Sequence, residues 1–163
     1  MPESHYAAGI IVDIEGDEPY FLVLEYDSGK GKQVKFPGGT NVDKPGETPD
    51  ETVHREVRQE SGLVFVRDPL KIYERRLPPR NGEGSHTKCA FLIDFSDCGG
   101  DMRTQPFREG GEGGDLLSPP FWRTSSELFN PEAYGFKKDD ALFSTHRPML
   151  EAALMELKKR KGK

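Results

Sequence analysis

An α/β architecture, a mixed sheet covered by helices on both faces, is implied by the order of periodic segments in this 163-residue chain. Two short β-branched and aromatic runs open it, a capped amphipathic helix occupies its middle, and further strand-like runs lead to a second amphipathic helix. Composition agrees: Leu, Ile, Val and Phe supply 36 residues, about 22%, just above the roughly 20% line below which chains tend to disorder. A chain of this length buries about 70% of its unfolded surface, so one domain spanning residues 1–163 is expected.

The first two strands are expected at Ala7 to Ile14 and Tyr20 to Tyr26, joined by a Gly-, Asp- and Pro-containing turn. Ser28 to Lys32 forms a flexible turn before a short strand, Gln33 to Phe36, that ends at Pro37-Gly38-Gly39. Thr48-Pro49-Asp50-Glu51 combines an N-cap hydroxyl, a proline at the first helical position and a glutamate three residues after the cap. The spacing predicts a helix from Pro49 to about Ser61 with Gly62 as its C-cap, and Val53 and Val57 form an apolar stripe toward the sheet. Leu63 to Val66, Leu70 to Leu77, Thr87 to Phe95 and Phe121 to Thr124 read as strands, and a short helix starts near Ser125. The last helix begins near Arg147-Pro148, with Met149, Leu150, Ala153, Leu154 and Leu157 at helical spacing. Residues 96–120 carry six of the 18 glycines and three prolines, and are expected to be either a functional lid or a disordered segment.

Several function classes are excluded at this level. Apolar runs such as Phe21-Leu22-Val23-Leu24 fall far short of the roughly 18 residues a membrane-spanning helix needs, so no membrane partner is expected. The N-terminal residues lack a basic and then apolar secretory pattern, and two cysteines do not make a disulfide framework, so a cytoplasmic location is expected. A formal charge of −5 argues against broad nucleic-acid binding. The basic run Lys158 to Lys163 reads as a solvated helix end that complements the dipole.

The chemistry concentrates on the middle helix. Glu56, Gln59 and Glu60 stand at i, i+3 and i+4 and share one polar face. Two carboxylates so placed repel each other, and a divalent cation reverses that repulsion, since Mg²⁺ and Mn²⁺ prefer carboxylate and carbonyl oxygen. The same face also reads as a solvated surface screened by Arg55 and Arg58. Gly38-Gly39, after a strand, allows close backbone approach and offers a carbonyl beside that face.

Taken together, Phe36-Pro37-Gly38-Gly39, Gly46-Glu47 and Arg55-Glu56-Val57-Arg58-Gln59-Glu60-Ser61-Gly62-Leu63 resemble the box of the MutT-like Nudix hydrolase family. That pattern runs Gly, five residues, Glu, seven residues, then Arg-Glu-apolar-x-Glu-Glu-x-Gly-apolar. The resemblance covers about 25 residues closely, and extends loosely to the first strand and to Trp122 through Leu128. Two positions depart: seven residues instead of five separate Gly39 from Glu47, and Gln59 replaces the first glutamate of the pair. A two-residue loop insertion is entropically mild. Glutamine brings an amide oxygen without charge, so metal affinity is expected to be weaker, or one metal of a multi-metal site lost.

The resemblance implies an α/β/α sandwich and divalent-metal-dependent hydrolysis of a pyrophosphate bond in a nucleoside diphosphate linked to another moiety, with a small-molecule nucleotide as partner. By that analogy Glu56 and Glu60 hold Mg²⁺ or Mn²⁺ with the Gly39 carbonyl, Gln59 is an auxiliary ligand, and Glu56 or an acid from a later loop is the general base. Arg55 orients the carboxylates, through Glu47. For the extra acid, Asp115, Glu112 and Glu109 are candidates, Asp115 first because it lies nearest the Trp122 strand. Two rivals remain: a catalytically impaired Nudix-type domain that binds a nucleotide or partner, on the strength of Gln59 and the longer loop, and an RNA 5′-end pyrophosphohydrolase, supported only by the basic tail. His86 is read as a structural strand-edge residue, His146 as the residue that starts the last helix, His54 as solvent-facing, Phe121 and Trp122 as core, and Cys89 as buried and inert.

Overall fold

The computed structural model describes residues 3–79, 84–110 and 113–162. Strand β1 (Ser4–Asp13) lies at the centre of the main sheet because both of its faces are apolar: Ala7 and Ile11 point one way, Ala8, Ile10 and Val12 the other. It pairs in parallel with β7 (His86–Asp94) and antiparallel with β2 (Tyr20–Asp27) and β4 (Gly38–Thr40). Outside this centre, β6 (Leu70–Leu77) pairs with β7, and β3 (Lys32–Lys35), β10 (Leu116–Leu117) and β11 (Phe121–Thr124) pair with β2. The two-residue β9 (Phe107–Arg108) pairs with β10. The parallel β1–β7 pair beside these antiparallel ones makes the sheet mixed.

Helix α1 (Pro49–Ser61) lays Val53 and Val57 on one face of this sheet, against Ala7, Ile11, Leu22 and Phe91. Helix α3 (Arg147–Lys161) lays Met149, Leu150, Ala153 and Leu157 on the other, against Ile10, Val12, Phe21 and Val23. The short α2 (Ser125–Phe129) adds Leu128 to that second core. The expected α/β/α layering is therefore present.

Helix α1 begins and ends where its local signals place it. Thr48 Oγ1 accepts from the Glu51 backbone at 3.2 Å while Glu51 Oε1 accepts from the Thr48 backbone at 3.0 Å, and Gly62 takes the left-handed conformation, φ 86°, that closes the helix.

Strand β3 ends before Pro37-Gly38-Gly39, as expected, and the chain then rejoins the sheet: Gly38–Thr40 is a further strand, β4, whose backbone pairs with Tyr6, Ala7 and Ala8. Of the two expectations for residues 96–120, disorder does not hold in the described part: β8 (Cys98–Gly100) pairs with β5 (Leu63–Phe65), and β9 pairs with β10, which pairs with β2.

Candidate active site

Strand β4 and helix α1 meet side by side, and their contact builds the site. Helical spacing sets Glu56 and Glu60 on the same face of α1, as expected, but that face is not solvated: Glu60 is 0% and Glu56 4% exposed. It packs against β4, where Gly39 lies so close to the Glu56 carboxylate that a Cβ there would stand 2.5 Å from Glu56 Cδ. Glu60 Oε1 accepts the Gly38 backbone N–H at 2.9 Å and the hydroxyl of Tyr26 from β2. Among the described residues, Glu56 Oε2 and Glu60 Oε2 are buried and have no hydrogen-bond partner.

Arg55, one residue from Glu56, ties the helix to the loop before it. Its Nε and Nη2 donate to the two oxygens of Glu47, each at 2.9 Å, and Nη1 donates to Glu56 Oε1 at 2.8 Å. Nη2 also reaches the Thr40 carbonyl at 3.1 Å. Glu47 further accepts the Thr52 hydroxyl at 2.5 Å, whose oxygen lies 2.6 Å from His5 Nε2. The Arg55 guanidinium is the main reason the Glu47 carboxyl is held down to about 2.

The two helix carboxyls are shifted the other way. Burial, then the neighbouring Glu109, raises Glu56; burial, then Glu56, then Glu109, raises Glu60 well above the carboxylate range. Buried carboxylates that repel one another and keep free inward oxygens are a donor set for a hard cation, so the residues fit Mg²⁺ or Mn²⁺.

The third carboxylate of the cluster is Glu109: one ligand oxygen each from Glu56, Glu60 and Glu109 lie within 4.8 Å of one another. Asp115, the first candidate by position, lines the same cleft but stands outside this group. The β9–β10 hairpin accounts for the difference, since it doubles the chain back with the Glu109 N–H on the Asp115 carbonyl at 2.9 Å. Glu112 lies outside the described residues. Gln59 is exposed at the cleft, and Gly39 and Arg55 also line it. Arg103 ties the loop to α1, its guanidinium donating to the Glu60 carbonyl at 2.8 and 3.0 Å and to the Ser118 carbonyl at 2.6 Å.

The cleft holds about 670 Å³ and is lined by Glu56 and Glu109 as well as by Lys35 of β3. The Lys35 ammonium sits 5.1 Å from the Tyr26 ring centre and 4.7 Å from that of Phe143; burial lowers its pKa, opposed by Asp115, Glu60 and Glu109. Tyr26, Lys35, Tyr6 and Arg103 were not legible as site residues. The one available signal was position, Lys35 standing immediately before Phe36-Pro37-Gly38-Gly39.

The remaining histidines differ in part from expectation. His86 is structural, 2.6 Å from the Ser4 hydroxyl. His146 stands at the N-cap of α3 as expected and is in addition a core residue, 2% exposed, while His54 is half-exposed with its ring stacked on Phe65 at 3.9 Å. Cys89 is buried, with its thiol pushed up to about 11 by burial.

The model of the NUDIX domain matches residues 3–145. Among solved structures, the chain is similar to an ADP compounds hydrolase at 19% identity and TM-score 0.62, over 95% of this chain and 74% of that one. A NUDIX hydrolase from Nitrosomonas europaea matches at 17% identity and TM-score 0.60, over 96% and 90%. The NUDIX domain of Shewanella oneidensis NrtR, in complex with ADP ribose, matches at 13% identity and TM-score 0.58, over 94% and 87%. No curated protein matches the chain. These three likenesses establish the fold; the domain match spans most of the sequence, and the chain belongs to the Nudix hydrolase family.

Proposed function

We propose that the chain hydrolyses the pyrophosphate bond of a nucleoside diphosphate linked to another moiety, with Mg²⁺ or Mn²⁺ held by Glu56 and Glu60. The observation that carries this reading is the pair of buried, unpartnered oxygens on those residues, facing a third carboxylate in one cleft. Such a cation, when bound, neutralises phosphate oxygens and acidifies a bound water.

The chain's own residues do the rest. Glu56 is kept in place by Arg55, itself anchored on Glu47, and Glu60 by Tyr26 and the Gly38 N–H. Glu109, on the hairpin instead of the helix, is positioned to take the proton of the attacking water, while Lys35 pairs with a phosphate oxygen across the cleft. Water adds across the P–O–P bond: its oxygen joins one phosphorus, its proton passes to a carboxylate, and the other phosphate leaves. Gln59 and the Gly39 carbonyl supply neutral oxygens at the same face.

The test is a panel of nucleotide sugars, dinucleoside polyphosphates and nucleoside triphosphates assayed with each metal. Metal-dependent release of a nucleoside monophosphate or phosphate from at least one of them is expected. No turnover with either metal, while the same compounds still raise the melting temperature, would assign the chain to binding instead.

A further inference from the structure

Two further cavities adjoin the cleft. One, about 220 Å³, shares the lining residues Tyr6 and Lys35 with it, and the other, about 200 Å³, shares Lys88 and Thr145 with the first of these. Strand register explains why they lie side by side. Tyr6 of β1 pairs with Lys88 of β7, which pairs with Arg75 of β6, so the three side chains lie on one face of the sheet.

The charge along this track has one sign. The second and third cavities are lined by Lys35, His86, Lys88 and Arg75 and, among the described residues, by no Asp or Glu. Other cations of the same strand are neutralised: Lys71 pairs with Glu74 at 3.0 Å and Arg76 with Glu3 at 2.8 Å. Among the described residues, Lys35, Lys88 and Arg75 form no ion pair. Lys35 and Lys88 are half-buried beside Phe143 and Met149, and apolar walls of this kind focus the field of a cation and strengthen its pairing with an anion. Both also face the buried His146, whose pKa is lowered by burial first and then by Lys35 and Lys88.

We infer that this track is a subsite for a phosphate group of the substrate remote from the bond that is cleaved. The inference rests on the pyrophosphohydrolase reading and narrows its substrate class to nucleoside diphosphate derivatives that carry an additional phosphate ester. Lys35 also faces the cleft and its acids, whereas a neutral base or sugar in the track would leave the half-buried Lys88 ammonium without a counter-charge.

The test uses substrate pairs that differ by one phosphate: NADPH against NADH, and coenzyme A against its dephospho form. The phosphorylated member of at least one pair is expected to show a kcat/KM on the order of tenfold higher, with the ratio falling as salt is added. Lys88→Gln should bring the ratio toward one, and Lys88→Arg, which keeps the charge, should preserve it. Metal-free calorimetry on the full chain provides a readout independent of turnover: adenosine 3′,5′-bisphosphate should bind more tightly than AMP, and lose that advantage in Lys88→Gln. Equal cleavage within both pairs, together with equal binding of the two mononucleotides, overturns the subsite and leaves the hydrolase reading standing. Lys88-dependent binding of the bisphosphate with no cleavage of any compound upholds the phosphate site and overturns the hydrolase reading.

Discussion

Tyr26, from strand β2, donates its hydroxyl to Glu60 Oε1, and the opposite oxygen of that carboxylate is buried with no hydrogen-bond partner among the described residues. The protein therefore holds one oxygen of Glu60 in place, within a group that also brings together Glu56 and Glu109. Without a cation this arrangement is costly, because burial and Glu56 both oppose ionisation of Glu60.

Glu60→Gln should separate stability from function. A carboxyl whose folded-state pKa is raised lowers stability above its unfolded value, and the penalty grows as pH rises through the folded value. The metal-free variant is thus expected to melt no lower than wild type at pH 8, with the difference in its favour widening between pH 5 and 8. Its turnover should fall on the order of 10²–10³-fold, and its melting temperature should no longer rise with Mn²⁺. Thermal melts with and without metal check this; a variant destabilised at pH 8 that still responds to Mn²⁺ contradicts the assignment.

Gln59→Glu should act in the opposite sense. Gln59 lies exposed at the cleft, one turn from Glu56, where an added carboxylate contributes about 1 kcal/mol of attraction to a nearby cation in a well-solvated setting. Metal affinity, read by titration calorimetry, is expected to rise about fivefold. Unchanged affinity would place Gln59 outside the reach of the metal.

How much of this was legible in the chain depended on how local each signal is. Helix α1 runs over the expected residues because Thr48, Pro49, Glu51 and Gly62 each act within one turn of the helix. Its polar face was equally consistent with solvent, since the element that buries it, β4, is Gly38-Gly39-Thr40 and shows no periodicity before β1 pairs with it. The hairpin that brings in Glu109 consists of two-residue strands, too short to alternate, so closeness in sequence to Trp122 favoured Asp115. Tyr26 and Lys35 read as ordinary strand residues because their partners, Glu60 and Phe143, lie 34 residues away and in the distant C-terminal part of the chain, respectively.

Gly39→Ala should disable the site by sterics alone. The new Cβ would stand 2.5 Å from Glu56 Cδ, so the buried Glu56 carboxylate, bonded to Arg55, would have to shift. A loss of about 1–3 kcal/mol in unfolding free energy is expected, together with weakened metal binding. Gly46→Ala, where nothing lies within 4 Å of the added methyl, is the matched control and should change neither. Chemical denaturation of the two variants side by side tests the contrast.

His146 should make the fold acid-sensitive. Its Nδ1 accepts the Phe36 N–H at 3.2 Å, its Nε2 lies 3.1 Å from the Tyr6 hydroxyl, and its ring stacks on Phe36, so the folded state holds it neutral with a pKa lowered from 6.5 to about 3, chiefly by burial. Below pH 6.5 the unfolded chain takes up a proton that the folded one refuses, so stability falls with pH, by up to about 1.4 kcal/mol per unit, until the folded-state value is reached. Glu56 and Glu60, with raised values, act in the opposite direction, and His5 and His86, also lowered by burial, in the same one. The contribution of His146 is therefore the difference in slope between wild type and His146→Gln, measured by urea unfolding between pH 5 and 6.5. The variant should be less stable at pH 7, where it loses the stacked, hydrogen-bonded ring, and its stability should decline less steeply toward pH 5. Parallel slopes would mean that the buried ring protonates without unfolding the chain.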